Sequence, residues 1–202
     1  LAAENIRLRA LLALQPALAV RTLAAEVLYE AADPYSRKLF INRGLTQGVV
    51  AGAPVVNEAG VLGQVTRAYP LTAEVTLVTD KDAAIPVLNT RTQQRGAAYG
   101  GLAKGSAMEL RFTAANADVR VGDLLHTSGV DGVYPAGLAV ATVTEVERQA
   151  EGGFARVTLA PTALADGVRH VLVIEPLAAQ LPPQPEPEVE PLPRQTTKGR
   201  KP

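Results

Sequence analysis

Short apolar runs, separated by glycine, proline, asparagine and aspartate, occupy most of the chain between residues 22 and 176. Runs rich in valine, threonine and leucine, with turn residues at both ends, are typical of β-strands. The runs are AAEVLYEA, RKLFIN, VLGQVTRA, EVTLVT, IPVLN, MELRFT, LAVATVTEVE, FARVTLA and RHVLVIE. In MELRFT the alternation predicts that Met108, Leu110 and Phe112 share one face of the strand.

The spacing of these strands predicts a mainly β fold. No long helical period interrupts them, which disfavours a parallel sheet, and short strands with glycine turns favour small barrels or sandwiches. The segments GVVAGAPVV (48–56) and GVYPAGLAV (132–140) resemble each other, and each precedes a strand. We therefore predict two related β units, at residues 19–95 and 96–176, and leave open an exchange of strands between them.

The first stretch, LAAENIRLRALLALQ, differs from the rest because its residues are good helix formers. The positions with the 4-3-4-3 spacing of a coiled-coil seam are Leu1, Asn5, Leu8, Leu12 and Gln15. A seam asparagine at position 5 favours a two-stranded partner, and Pro16 is expected to end the helix. Residues 1–18 are therefore predicted to pair two chains, and a helix packed on its own domain is the alternative.

The last segment, residues 177–202, lacks the apolar runs that are typical of strands. Eight of the fifteen prolines of the chain fall between Pro176 and Pro202. Such a segment lacks the apolar mass that offsets the entropy of ordering, so we predict an extended, disordered proline-rich tail. Its basic end, KGRKP, could touch an acidic surface, but a solvated tail without a partner is the simpler interpretation.

Composition narrows the function classes. Twenty basic residues balance twenty acidic ones, and the chain has five tyrosines, three phenylalanines and no tryptophan, which disfavours nucleic-acid binding. The absence of cysteine excludes disulfides, thiolate zinc sites and cysteine nucleophiles. The chain starts at Leu1, which suggests a piece of a longer protein. No apolar run of the sequence is long enough to span a bilayer, so any membrane anchor is expected upstream of Leu1.

The segment GDLLHTSGVDGVYPAG (122–137) holds the strongest candidates for catalysis. His126 and Ser128 would share one face of a strand, with Asp123 and Asp131 nearby in sequence. However, no G-x-S-x-G elbow occurs, and the segment also fits ordinary turn chemistry. We predict no catalytic, metal or cofactor site, and keep a hydrolase that uses Ser128 and His126 as the enzymatic alternative.

Glycines are expected at sharp turns and at close approaches of the backbone. The predicted structural glycines are Gly44, Gly48, Gly63, Gly122, Gly129, Gly132 and Gly137. The Asp131-Gly132 pair between apolar residues is a strong turn signal. The glycines and the Asp131-Gly132 pair therefore indicate that the segment 122–137 serves to turn the backbone.

Several motifs, in order, resemble the MreC family of bacterial rod shape-determining proteins. They are LAAENIRLRALL at the start, residues 33–65, residues 75–87, residues 122–143 and residues 157–174. The resemblance covers nearly everything from Leu1 to Glu175. It gives no support for the proline-rich tail.

The resemblance implies a dimerising coiled coil followed by two small β-barrel domains without a catalytic triad. It also implies the periplasmic portion of a single-pass inner-membrane protein. Such proteins act as non-enzymatic scaffolds of the elongasome, which builds the lateral peptidoglycan wall and maintains rod shape. Implied partners are a second copy of the chain and higher assemblies, MreD, MreB, RodA and the elongation-specific class B penicillin-binding protein, which the scaffold activates.

A barrel surface that binds such a partner is expected to use exposed apolar side chains. The candidates in this sequence are Tyr69, Tyr99 and Tyr134. A β-rich module that binds a glycan strand of the wall is a further alternative.

Overall fold

The structure, a computed structural model, describes residues 2–18, 20–31, 36–101, 107–148 and 153–176. Its first element is helix α1, Ala2–Ala17. The strands are β1 (Thr22–Glu30), β2 (Lys38–Ile41), β3 (Pro54–Asn57), β4 (Gly60–Ala68), β5 (Ala73–Leu77), β6 (Ala84–Asn89), β7 (Arg95–Tyr99), β8 (Met108–Ala114), β9 (Leu124–Thr127), β10 (Ala139–Arg148), β11 (Phe154–Pro161) and β12 (His170–Ile174). Leu1 and the predicted tail at 177–202 lie outside the described residues.

The strands form two closed antiparallel barrels, so the prediction of a mainly β protein with two barrels is confirmed. The first barrel has the order β1-β12-β3-β4-β5-β2, and the second has the order β10-β11-β8-β7-β6-β9. Closure gives each of the described strands a partner strand on both sides. Among the described residues, no helix is long and apolar enough to cross a membrane.

The boundary between the barrels differs from the one expected at residues 95 and 96. Strand β6 belongs to the second barrel, so the chain crosses over between Leu77 and Ala84. The last strand, β12, returns to the first barrel and pairs with β1 and β3. The sequence conceals the crossing because its linker, VTDKDA, resembles a hairpin turn. In the structure Asp80 is buried there and accepts hydrogen bonds from the backbone amides of Arg37 (2.6 Å) and Asp82 (2.9 Å).

Of the two apolar clusters, the one that fills the second barrel also includes residues from strands of the first barrel. On β12, Val171 and Val173 pack inside the first barrel, whereas Leu172 and Ile174 belong to the cluster that fills the second barrel. Val55 and Val56 of β3 divide in the same way. Strands buried on both faces lack polar alternation, which explains the uninterrupted apolar letters of APVV and VLVI. The barrels therefore form one packed body.

Gly60, the first residue of β4, lies directly against β10 of the second barrel. A Cβ atom built at Gly60 would lie only 2.3 Å from the backbone oxygen of Ala139, and its φ of +148° also disfavours a side chain. Glycine is therefore required for the contact between the start of β4 and the start of β10.

Helix α1 packs along the first barrel and runs beside β12. Leu11 is buried in the shared core cluster, and Arg7 donates a hydrogen bond to the carbonyl of Gly167 (3.0 Å). Exposed ion pairs join Arg7 to Glu58 (3.6 Å) and Glu4 to Arg169 (3.8 Å). The helix ends at Ala17, one residue beyond Pro16, where the prediction placed its end. One face of α1 is therefore in contact with the barrels of the same chain.

The expected orientation of Phe112 is wrong. Met108 and Leu110 are buried in the second barrel, but the Phe112 side chain is 78% exposed. The pairing of β8 with β11 shifts register between Ala155 and Val157, and Phe112 has a left-handed φ of 59°. A β-bulge inserts one extra residue and reverses the alternation beyond it. The bulge turns Phe112 outward.

Candidate interaction surfaces

The segment with the catalytic candidates does not assemble a nucleophile. The Ser128 hydroxyl is buried and has no hydrogen-bond partner in the part of the chain that the structure describes, and the Ser128 amide binds the carbonyl of Pro86 (3.1 Å). His126 lies in the ladder of β9, opposite Ala139 and Leu88. A serine nucleophile needs a base within hydrogen-bond reach. Among the described residues, no hydrogen bond joins His126 to Ser128, and no cluster of His, Asp or Glu could hold a metal ion.

Asp123, from the same segment, forms the centre of a charged network at the end of the second barrel. Arg91 donates to both oxygens of Asp123, at 2.7 Å through Nε and 2.8 Å through Nη2. Asn89 Nδ2 (2.7 Å) and the Arg120 amide (3.0 Å) bind the same carboxylate. The hydrogen bonds from Arg91, followed by those from Asn89 and Arg120, hold the pKa of Asp123 well below its usual range. The carboxylate thus fastens the loops around β6 and β9.

This network predicts acid sensitivity. The folded-state pKa of Asp123 is depressed, so its stabilisation is complete above the unfolded value of about 3.9 and is lost as pH falls through the folded value. The melting temperature should therefore decline from about pH 5 downward. Circular dichroism melts of the unmodified chain and of Asp123→Asn would check this. The variant, which cannot ionise, should show a weaker decline, and equal declines would contradict the assignment.

The remaining turn residues of the segment have backbone roles. Asp131 Oδ1 accepts hydrogen bonds from the amides of Val133 (3.1 Å) and Tyr134 (3.2 Å), which closes an Asx-turn. Predicted glycines in the left-handed region are Gly48, Gly122, Gly129, Gly132 and Gly137. Two others lie at close approaches: a Cβ at Gly44 would meet the Tyr69 carbonyl, and one at Gly63 would meet the Thr76 carbonyl.

Tyr134 is not available to a partner, which corrects one predicted binding residue. Its side chain is 3% exposed and belongs to the core cluster shared by the barrels. Gln64 and Thr76 of the first barrel and Ile85 of the second line the same small cavity as Tyr134. Burial, with the nearby Asp131 charge, raises the pKa of Tyr134 above its ordinary range. The aromatic ring seals the junction between the barrels.

The outer wall of the second barrel carries an aromatic face, which we define as Tyr99, Arg111, Phe112 and Phe154. The Arg111 guanidinium stacks 4.5 Å from the centre of the Tyr99 ring. Phe154 is 62% exposed and pairs with Ala114 of β8, close to the bulge at Phe112. Two large exposed aromatic side chains on adjacent strands are unusual on a solvated surface.

The bulge at Phe112 supports a binding role for this face. A left-handed φ is rare for a bulky residue, and such strained residues cluster at functional sites. A cavity of about 300 Å³ opens beside Phe112, and its wall includes Gly96, Leu110 and Ala114. Of the four residues of the aromatic face, only Tyr99 was predicted from the sequence as a partner contact. The exposure of Phe112 depends on a bulge that leaves no clear sequence signal.

A second apolar surface, the loop patch, lies at one end of the first barrel. Its members are Leu45 (53% exposed), Val50 (42%), Tyr69 (40%) and Leu71 (66%). The Leu45 amide binds the Tyr69 carbonyl (2.8 Å), and the amide and hydroxyl of Thr46 bind the Pro70 carbonyl. These bonds fix the two loops against each other. Tyr69 keeps its place as a predicted partner contact.

The exposed side of α1 carries only part of the predicted dimer seam. Leu12 is 66% exposed and Asn5 is also exposed, but Leu8 is half-buried beside the first barrel. Ile6, outside the seam, is 68% exposed on another side of the helix. Leu12 is therefore an apolar residue of the described seam that is available to a second chain.

Two closed barrels joined by a shared apolar cluster, with exposed aromatic and apolar surfaces, define a double-barrel β protein. The family model for "Rod shape-determining protein MreC, barrel core" matches residues 27–175. The chain belongs to the MreC family, as the sequence motifs indicated.

Curated relatives and solved structures agree with this assignment. The chain is 34% identical to the cell shape-determining protein MreC of Escherichia coli K12 and 36% identical to that of Haemophilus influenzae, across 85% and 86% of its length. It covers 46% and 49% of those relatives, so it spans about half of their length.

Two solved structures share the fold closely. The crystal structure of MreC from Pseudomonas aeruginosa has a TM-score of 0.71 at 37% identity and covers 77% of this chain and 99% of its own. Another MreC structure reaches a TM-score of 0.79 at 36% identity, with 86% and 98% covered. MreC in a complex with penicillin-binding protein PBP2 from Helicobacter pylori shares the fold at 17% identity, with a TM-score of 0.58 and 77% and 99% covered.

Proposed function

We propose that this chain is a non-enzymatic periplasmic scaffold of the elongasome, which organises and activates lateral peptidoglycan synthesis and thereby maintains rod shape. The exposed aromatic face carries the proposal. It offers a fixed surface to a partner, whereas Ser128 and His126 lack the contacts that a hydrolase needs. Membership of a family of cell shape-determining proteins supports this role.

The partner for the aromatic face is proposed to be the elongation-specific class B penicillin-binding protein. The Helicobacter pylori relative is named in a complex with a penicillin-binding protein. Aromatic residues and arginine dominate the energetics of protein interfaces, and Phe112, Phe154 and Arg111 supply both types. The strand scaffold holds them in place, so little entropy is lost when a partner docks. Activation requires that docking favours the active state of the enzyme by differential affinity.

The docking test replaces both phenylalanines of the face. The Phe112→Ala, Phe154→Ala double variant should bind the penicillin-binding protein of the same bacterium at least tenfold more weakly, because each hot-spot truncation costs more than about 1 kcal/mol. Both side chains are mostly exposed, so the melting temperature should change little. Calorimetric titration measures the affinity.

Ser128→Ala is the matched control for docking, since it alters the same barrel away from the aromatic face. It should bind the enzyme like the unmodified chain. Unchanged affinity of the double variant would refute the aromatic face as the docking surface. Hydrolysis of a wall-derived substrate that depended on His126 would refute the non-enzymatic role.

We further propose that α1 pairs two chains along the stripe that contains Asn5, Leu8 and Leu12. The exposure of Leu12 supports this pairing, and the packing of Leu11 on the chain's own barrel is compatible with it because the two residues lie on different sides of the helix. Self-association through both α1 and other surfaces would then generate the higher assemblies.

The change Leu12→Asp is expected to convert the dimer to a monomer, because two carboxylates would face each other in an apolar seam. Light scattering gives the mass, and circular dichroism shows that the barrels remain folded. Ile6→Asp is the control, since Ile6 is equally exposed outside the stripe. If Leu12→Asp keeps the parent mass, or Ile6→Asp alone loses it, the seam is misplaced.

The remaining relations of the scaffold follow from family membership and are proposals for this chain. An anchor helix upstream of Leu1 would hold it at the inner membrane, with MreD, RodA and the MreB cytoskeleton as further partners. Crosslinking in living cells from positions on the aromatic face and on α1 would identify which partner contacts each surface.

A further inference from the structure

The hairpin of β7 and β8 is open at its base. Ladder pairs join residues 97–99 to residues 109–111, and among the described residues no further pair joins the two strands. Residues 95–96 of β7 still pair with β6, and residues 113–114 of β8 still pair with β11. The ladder ends where the bulge at Phe112 begins, and bulges commonly terminate pairing. The four residues at the base therefore have a ladder partner on one side only.

The cavity beside Phe112 lies between these two open strand ends. Residues 94–96 line one side of it and residues 110–114 line the other. Val119 and Leu125, from the apolar cluster of the second barrel, also belong to the lining. Its volume of about 300 Å³ is at the lower limit for ligand pockets, so the cavity suits a short segment of chain with one apolar side chain.

Backbone groups of both strands face this gap. In an antiparallel ladder, residues whose backbone groups bond to the neighbouring strand alternate with residues whose groups face away from it. The Gln94 carbonyl accepts a hydrogen bond from β6 (2.9 Å), so the alternation turns the amide and carbonyl of Arg95 toward β8. The Ala115 amide binds the Gly153 carbonyl (3.1 Å), so the Ala114 amide faces away from β11 and toward β7. Such groups can pair with an added strand.

The lining of the gap is basic. Arg95 and Arg111 belong to it, and no aspartate or glutamate does among the described residues. Arg148 donates hydrogen bonds to two carbonyls of the same lining (3.3 and 3.2 Å). Glu109 pairs with Arg111 at 3.4 Å, which balances only part of the positive charge. A segment with an acidic side chain beside an apolar one therefore complements the gap.

We propose that an extended segment of the penicillin-binding protein enters this gap as an added β-strand. Its backbone pairs with Arg95 and with the Ala114 amide, its apolar side chain fills the cavity, and its acidic side chain meets the arginines. Strand addition takes affinity from main-chain hydrogen bonds and specificity from pockets for alternate side chains. The inference rests on the proposed docking at the aromatic face, since Phe112 lies on one side of the gap, and it specifies the form of the bound segment.

Proline and alanine at position 95 separate the role of the backbone from that of the side chain. Both remove the guanidinium, but only proline removes the amide that faces the gap. That amide takes no part in the pairing with β6, so the barrel should remain folded. By calorimetric titration, Arg95→Pro should bind the penicillin-binding protein of the same bacterium roughly fivefold more weakly than Arg95→Ala, as expected for one lost hydrogen bond. Equal affinities of the two folded variants would overturn the proposal.

Hydrogen exchange of the unmodified chain gives a second readout that needs no substitution. In the complex, the amides of Arg95 and Ala114 should exchange roughly tenfold more slowly than in the free chain, because a hydrogen-bonded amide exchanges only when it opens. The Gly96 amide, which the same alternation turns toward β6, is the control and should change little. Unchanged exchange at Arg95 and Ala114 would overturn the added strand. Slower exchange in the concentrated chain alone would also overturn it, because a second copy would then occupy the gap.

These outcomes are separate from the test of the aromatic face. If the Phe112→Ala, Phe154→Ala double variant binds like the parent, the docking surface and the added strand both fail. If the double variant loses affinity while Arg95 and Ala114 exchange in the parent complex as they do in the free chain, only the added strand fails.

Discussion

A chain truncated after Gly167 is expected to lose the fold of the first barrel, whereas a chain truncated after Pro176 keeps both barrels. The shorter form lacks β12, which pairs with β1 and β3 and closes the barrel. Val171, Leu172, Val173 and Ile174 are each at most 4% exposed. Burial of four such side chains contributes on the order of 6–12 kcal/mol, which matches the whole stability of a typical domain.

Far-ultraviolet circular dichroism and urea titration of the two truncated forms measure this effect. The form that ends at Gly167 should lack a cooperative transition of the first barrel, and the second barrel should also weaken, because Leu172 and Ile174 belong to its core cluster. The form that ends at Pro176 is the control. A cooperative transition of parental size in the shorter form would show that β12 is not required for closure.

The substitution Asp123→Ala is expected to destabilise the protein by about 3 kcal/mol. It leaves Arg91, Asn89 Nδ2 and the Arg120 amide without their common acceptor. Removal of one member of a buried, hydrogen-bonded charge pair is costly because the other groups lose their partner. Because Arg91 keeps its hydrogen bond to Asp118 (2.7 Å), the expected loss of stability lies at the lower end of the range for such pairs.

Asp118→Ala is the matched control for Asp123→Ala. It removes a carboxylate bound by the same arginine, but its side chain is 51% exposed, so the change in stability should be much smaller. Urea titration at pH 7 gives both values. Equal losses for the two variants would mean that burial does not set the strength of the network.

The strands and turns were the predictable part of this fold, because apolar runs and glycine turns are local signals. Each of the nine predicted runs contains a strand, and Asp131-Gly132 lies in the predicted turn. The crossover between Leu77 and Ala84 and the return of β12 to the first barrel were not predictable, since both depend on pairing between strands distant in sequence. Uninterrupted runs such as VLVI do signal burial on both faces, but they do not say which barrel receives each face.

The interaction surfaces were less predictable than the fold. Phe112 was assigned to the face of Met108 and Leu110, and one bulge on β8 reversed it. Tyr134 was a candidate contact on grounds of residue type, but the junction of two barrels buries it. Asp123 was considered only as a neighbour of His126 and Ser128 in a possible catalytic site, and its partner Arg91 lies 32 positions away. Each of these features depends on tertiary packing, which one sequence alone does not specify.

The apolar cluster that the two barrels share fixes the relative positions of the surfaces that would bind partners. Leu172 and Ile174 of the first barrel belong to the apolar cluster of the second, and Leu11 of α1 joins the same cluster. Helix α1 and the aromatic face therefore keep a constant separation and angle. Two proteins bound at α1 and at the aromatic face would therefore be held at a fixed distance by this chain. Rotation of one of them would rotate the other.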